Sequence, residues 1–206
     1  MQEKHIIDTF KILTTPVVLI LMGIFDQWEN LTAWIYLAIH GTYGILWVSK
    51  SRMFPDKSWE VDASLFRFMI LVTGLTGYWV APFLLMYYEY QASNWIIALV
   101  VSMWGFGVFW HFSSDMQKYI SLKLNPDQLF RGGLWAKIRN PNYFGEFLIY
   151  LSFSILSGHW LPYVVFGLII TIEWIPNIRK KEKSLSRYED FNEWKRKSKI
   201  FIPYIL

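Results

Sequence analysis

Long apolar runs separated by short charged patches set the organisation of this chain. Phe10 to Phe25 carries no charge beyond Lys11 near its start, and Thr32–Ser49, Phe68–Tyr88 and Asn94–Ser114 carry none. Phe147 to Ile175 is a fifth run, long enough for two shorter segments divided at Ser157-Gly158-His159. Pro162 opens the second of these at little cost, because the first turn of a helix does not need its N–H. The runs approach the ~20 apolar residues a bilayer span requires. They do not alternate with period two, so they read as helices rather than strands. The pattern predicts an all-α integral membrane protein with about six transmembrane helices.

Charge tests this division independently. Of the 20 Lys and Arg residues, two precede or open the first run, four lie between the second and third, five between the fourth and fifth, and nine follow the last. With six spans, these four regions share one side of the membrane. The opposite loops, around Asp26–Glu29, Glu89-Tyr90 and Ser157–His159, contain none. Lys/Arg asymmetry in short loops sets orientation, so both termini are expected in the cytoplasm. Trp28, Trp34, Trp59, Trp95 and Trp160 sit near the ends of spans, where amphipathic rings favour the headgroup layer.

Composition agrees: 54% of residues are hydrophobic, with 12 Trp, 12 Tyr and 16 Phe, and only 17% are charged. A net charge of +4 is compatible with nucleic acid, but its placement assigns it to a membrane face, and no nucleic-acid partner is expected. The chain has no cysteine, which excludes disulfides, thiolate catalysis and cysteine-based metal sites. The histidines are scattered, so no metal is expected. The N-terminus lacks a small-residue cleavage site, so no signal peptide is expected. Asn30-Leu31-Thr32 is a glycosylation sequon that abuts the membrane and is expected to be unused. No internal repeat or low-complexity linker appears, so residues 1–206 read as one membrane domain. Gly74, Gly77, Gly105 and Gly107 are expected to permit close helix packing.

Polar chemistry concentrates in the second half. Asp115, Gln117 and Lys118 share about one helical turn at the end of the fourth span, and Asn125-Pro126-Asp127 and Gly132-Gly133 are turn signals. The run Arg139-Asn140-Pro141-Asn142-Tyr143-Phe144-Gly145-Glu146 then leads into the fifth span. Asn142 and Glu146, four residues apart, lie on one helix face with Tyr143 beside them. A carboxylate at the mouth of a span is costly unless it faces a polar cavity, snorkels to the interface or pairs, for instance with Arg139. A cation, an amide, a ring and a carboxylate at one mouth could bind a ligand with phosphate, hydroxyl and amide functions, as a nucleotide cofactor has. His40, mid-span, is either a histidine bonded within the bundle or an acid, and Tyr43 is either packing or an acid. Glu173 is either functional or paired with a nearby base. The run Arg179–Lys183 reads as the basic flank of the last span, with phosphate contact left open.

The stretch from Asp115 to Glu146, with Gly133-Leu134-Trp135 and then Arg139-Asn140-Pro141-Asn142-Tyr143-Phe144-Gly145-Glu146, resembles the C-terminal domain of the steroid 5-alpha-reductase family, in particular its short bacterial-type branch. Tyr188-Glu189-Asp190-Phe191 and the closing Phe201-Ile202-Pro203 with Tyr204 support the resemblance, which is firm over residues 110–206. It implies a helical membrane bundle whose cytoplasmic half encloses NADPH. By residue, Asn142 and Glu146 match the family's nicotinamide-proximal pair and Asp115 its cofactor-binding aspartate. Lys118 takes the place of a basic residue near phosphate, and Arg139 and Tyr143 lie within the motif. His40-Gly41-Thr42-Tyr43, followed by Lys50 and Arg52, resembles the helix that carries the family's proton-donating tyrosine, with Tyr43 displaced by one turn. Where the steroid enzymes carry a glutamate in the preceding helix, this chain has Thr14-Thr15-Pro16.

The resemblance implies reduction of an activated C=C bond in a lipid-like substrate, steroid or isoprenoid, with Tyr43 or His40 as the acid. Two other readings stay open. The related isoprenylcysteine carboxyl methyltransferases, which use S-adenosylmethionine, share the architecture and an Arg-x-Pro-x-Tyr core. They usually have His where Asn140 stands and a Glu pair where Lys181-Glu182 stands. The last reading is a membrane scaffold that kept the fold without its chemistry. Partners expected in the first two cases are the bilayer and a hydrophobic small molecule; the oligomeric state is left open.

Overall fold

The computed structural model describes residues 1–202; Pro203 and Tyr204 of the closing segment lie outside them. The chain is all-helical, and among the described residues five helices are long and apolar enough to cross a membrane. These are α1 (Glu3–Ile24), α2 (Leu31–Met53), the interrupted pair α3 (Leu65–Gly77) and α4 (Val80–Tyr87), α5 (Asn94–Leu124), and a continuous stretch built from α7 (Leu161–Ile169), a π-helical turn (Ile170–Trp174) and α8 (Ile175–Leu185). The expected fifth span is α6 (Pro141–Leu156), whose 16 residues rise ~24 Å, short of a ~30 Å hydrocarbon core. A last helix, α9, covers Phe191–Lys197.

The helices group into two compact units. The first holds Met1–Trp104 and Tyr150–Phe166. Here α1 and α2 approach so closely that a Cβ on Gly44 would strike the carbonyl of Lys11, and one on Gly41 would come 2.9 Å from Thr15 Oγ1. Asn30 caps α2: its Oδ1 accepts from Thr32 N at 2.9 Å and Ala33 N at 3.4 Å, and its Nδ2 donates to Gln27 Oε1 and the Tyr90 carbonyl. The sequon asparagine is thus a buried structural cap, with 3% of its surface exposed. The third expected span is broken at Tyr78-Trp79. Tyr78 N–H donates to the Leu75 carbonyl and Trp79 N–H to the Thr76 carbonyl, so the break leaves these donors satisfied, as an apolar medium demands. The Trp79 ring stacks on Phe10 at 5.3 Å and its Nε1 donates to Thr14 Oγ1. Near the start of α1, Lys4 pairs with Glu60 at 2.9 Å and Glu3 with Arg67 at 3.2 Å.

The second unit holds Gly105–Ile149 and the described residues from Gly167 onward. The second part of α5 and the start of α6 cross at Gly107 and Gly145. A Cβ on Gly145 would lie 2.6 Å from the Gly107 carbonyl oxygen and strike the His111 backbone, and one on Gly107 would lie 2.7 Å from the Gly145 oxygen. Of the glycines expected at interfaces, Gly107 meets this role and Gly77 approaches Val165, whereas Gly74 and Gly105 face open space. Sequence spacing marks helix glycines but not the face they occupy. α9 docks through an apolar cluster of Trp135, Phe191 and Trp194 against Leu129, Phe130, Leu185 and Tyr188. Arg131 bridges to Asp190 at 2.9 Å on the outside. A hydrogen bond from Lys197, with the Arg131 charge adding to it, holds the exposed Glu193 carboxyl below the ordinary carboxylate range.

Exposed apolar side chains such as Ile20, Phe66, Trp95, Phe106 and Leu168 stand on the outer faces of these helices. Water would penalise such a surface, and lipid accepts it.

Candidate active site and cofactor-binding face

In the second unit the motif Arg139–Glu146 begins as a strap and ends as a helix. Ile138 and Lys199 form an isolated parallel bridge, with Lys199 N donating to the Lys137 carbonyl and Arg139 N to the Lys199 carbonyl. Arg139 is buried, and its guanidinium spans three partners: Nε to Glu182 Oε1 at 2.6 Å, and Nη1 to the Ser198 carbonyl at 2.6 Å and the Lys195 carbonyl at 3.3 Å. Asn140, fully buried, donates to the Ile200 carbonyl and accepts from Lys181 Nζ at 2.7 Å. Lys181 also donates to the Arg139 carbonyl and lies 4.3 Å over the Trp135 ring. Part of the basic run therefore turns inward: Lys181 and Glu182 fasten the motif, while Arg179, Lys180 and Lys183 are exposed.

The first turn of α6 carries the residues singled out for a cofactor. Asn142 Oδ1 is buried with no hydrogen-bond partner among the described residues. The Asn142 carbonyl meets His111 Nδ1 at 3.2 Å, and His111 Nε2 stands 4.0 Å from Asp115 Oδ2, one turn along α5. His111 is the residue that sequence reasoning set aside. Its four-residue spacing from Asp115 was the available signal, and it links the two stretches α5 and α6 bring together. Glu146 is 9% exposed, so it neither snorkels to water nor takes Arg139, which Glu182 occupies. The Tyr143 ring lies 5.1 Å from Trp174, the last residue of the π-helical turn that also holds Glu173. Single π turns often mark functional positions. Lys118 is half-buried on α5, one turn beyond Asp115. Next to it, Gln117, Ser121, Asn125, Gln128 and Phe130 line an open cleft of about 420 Å³.

These groups fit a dinucleotide's chemistry. A buried amide oxygen without a donor is the complement of a carboxamide N–H. The carboxylates of Asp115 and Glu146 accept from hydroxyls or amides, and exposed Lys and Arg offer charge to phosphate.

His40 and Tyr43 belong to the first unit, on α2. Both are buried, at 1% and 0% exposure. His40 Nδ1 lies 3.0 Å from Tyr36 Oη, its ring stacks on Phe153 at 4.0 Å, and its Nε2 has no hydrogen-bond partner among the described residues. Tyr43 Oη lies 3.2 Å from Tyr150 Oη. Tyr150 also takes Tyr78 Oη at 3.0 Å and Lys11 Nζ at 3.0 Å. Tyr78 and Tyr150 were missed because each lies in a segment that reads simply as apolar span, and Lys11, the one charge in the first run, reads as its edge.

No match is found among curated proteins. A family model described as 3-oxo-5-alpha-steroid 4-dehydrogenase matches residues 57–206, which include the whole second unit and the α3–α4 break. Since the match covers most of the sequence and contains the Arg139–Glu146 motif, the chain belongs to the 3-oxo-5-alpha-steroid 4-dehydrogenase family of membrane oxidoreductases.

Proposed function

We propose that the protein is an NADPH-dependent reductase of an activated C=C bond in a lipid-like substrate, a steroid or an isoprenoid, with its basic face and both termini in the cytoplasm. The observation that carries the reading is the buried Asn142 Oδ1, unpartnered among the described residues, on the helix start that also bears Tyr143 and Glu146. Bound NADPH supplies a hydride; everything else falls to the chain. Asn142 and Glu146 hold the nicotinamide end, Asp115 and Lys118 the hydroxyl and phosphate functions, and Tyr143, against Trp174, offers a ring face. Arg139 acts indirectly, fixing the turn through Glu182 and Ser198. The acid function belongs to the aromatic polar centre of the first unit, which contains Tyr43 and His40. Such a donor stabilises charge developing on a substrate oxygen.

Thermal unfolding of the detergent-purified protein with NADPH, NADH or S-adenosylmethionine tests this directly. A ligand held only by the folded state stabilises it by about 2.7 kcal/mol at 100 times its Kd. NADPH is expected to raise Tm, and Asn142→Ala and Glu146→Ala to abolish the rise. A response to S-adenosylmethionine alone sinks the reductase in favour of a methyltransferase, and no response to any ligand favours a scaffold.

A further inference from the structure

Lys11 is 2% exposed in the middle of the first unit. Its Nζ lies 4.4 Å from the ring centroid of Tyr78, 4.5 Å from Tyr43, 4.9 Å from Trp47 and 5.1 Å from Tyr150. It also lies 3.0 Å from Tyr150 Oη. An ammonium taken out of water costs several kcal/mol unless it is compensated. Four ring faces and a phenol oxygen provide such compensation. Packing alone would be served as well by an apolar residue of similar volume, so the charge itself calls for a role.

The contacts of Tyr150 indicate that role. An ammonium donates and cannot accept, so Lys11 donates to Tyr150 Oη. The Tyr150 hydroxyl hydrogen then remains available to Tyr43 at 3.2 Å or Tyr78 at 3.0 Å. Phenol hydrogens rotate, so either direction of the Tyr150–Tyr78 bond is open. Tyr43 and Tyr150 are buried, whereas Tyr78 is half-buried at the break between α3 and α4. Its ring stacks on that of Tyr150, at 5.1 Å and 28°. The sequence Lys11–Tyr150–Tyr78 thus leads from a buried cation to a half-buried tyrosine.

We infer that Lys11 is a positioning residue for acid catalysis, its ammonium polarising a Tyr150–Tyr78 relay whose outer hydroxyl protonates the carbonyl oxygen of an enone substrate; this rests on the reductase reading above. A hydride adds to the β-carbon, forming a C–H bond while the C=C pair shifts toward the carbonyl. The Tyr78 O–H bond breaks and its proton goes to the carbonyl oxygen, giving the enol. Tyr78 regains a proton from Tyr150, and Tyr150 from Lys11. The enol tautomerises to the ketone, and a proton from water restores the ammonium. Each reduced double bond takes up one hydride and one proton.

The test is NADPH oxidation by the full-length protein, with progesterone and farnesal as enone and enal probes. Lys11→Met is expected to lower kcat at least ~10-fold with KM and the NADPH thermal shift nearly unchanged, as removal of an acid's support should. Lys11→Arg, which keeps the polarising charge but gives up no proton, restores part of the rate, with Tyr150 then reprotonated from water. Tyr78→Phe lowers kcat similarly, and the double variant is no slower than either single one, because members of one relay are not additive. Wild-type kcat in Lys11→Met, or multiplicative losses in the double variant, overturns the inference and leaves the reductase standing. No NADPH consumption with either probe overturns the reductase reading and this inference with it. If Lys11→Met fails to fold, Tyr78→Phe and Lys11→Arg carry the comparison alone.

Discussion

Arg139 shows how a residue that reads as a ligand group can serve as a fastener. All its resolved partners are internal: Glu182 on α8, and the carbonyls of Lys195 and Ser198 at the end of α9. Removing one member of a buried ion pair leaves the other uncompensated, a loss of several kcal/mol in fully buried cases. Glu182 retains 17% side-chain exposure, so Arg139→Ala is expected to cost about 2–3 kcal/mol, seen as a lower Tm in detergent. Arg139→Lys should recover little, because an ammonium cannot reproduce the planar fork that reaches Glu182 and Ser198 together. A Tm equal to wild type in Arg139→Lys would show the fork is dispensable. Asn142 makes the opposite case. Asn140, two residues earlier, is bonded on both sides, whereas Asn142 Oδ1 has no partner among the described residues, which no reading of residue types could have shown.

At the scale of elements, the apolar runs located α1, α2 and α5 well, since a span is long and its signal accumulates over many residues. The two-part run after Phe147 also divides at Ser157–His159 as expected, with Gly158 in the left-handed region at φ 64°. The break at Tyr78-Trp79 was passed over because the run is apolar throughout, although Gly77 precedes it and Pro82, four residues after Tyr78, cannot donate to the Tyr78 carbonyl. The Gly107–Gly145 crossing was half legible. Gly107 was expected at an interface, while Gly145 passed as a motif residue. Gly145→Ala is expected to drive a methyl into the Gly107 carbonyl and the His111 backbone. Overpacking of this kind costs about 1–3 kcal/mol and shifts the backbone. Since α6 carries Asn142 and Glu146, the NADPH thermal shift should weaken along with Tm. A variant that keeps wild-type NADPH affinity would mean that the crossing does not set the position of the turn.

For the molecule as a whole, membrane residence follows from five long apolar helices and family membership. Sidedness still rests on the distribution of 20 basic residues. The absence of cysteine makes this testable, since one introduced thiol is a unique label. Cysteines at Lys123 and Lys197 are expected to react with a membrane-impermeant maleimide only after the cytoplasmic face is opened, and one at Glu29 without opening it. Labelling at positions 123 and 197 but not at position 29 before that face is opened would reverse the orientation.

The Asn30 cap has a consequence for any such mapping. A glycan on Asn30 would take the side-chain nitrogen on which the folded structure depends, so a chain that carried one could not close this cap. Here that nitrogen holds Gln27 and the Tyr90 carbonyl, while the oxygen beside it begins α2. An unglycosylated chain therefore carries no information about which compartment this loop entered, and a natural-looking reporter of topology is silent in either one.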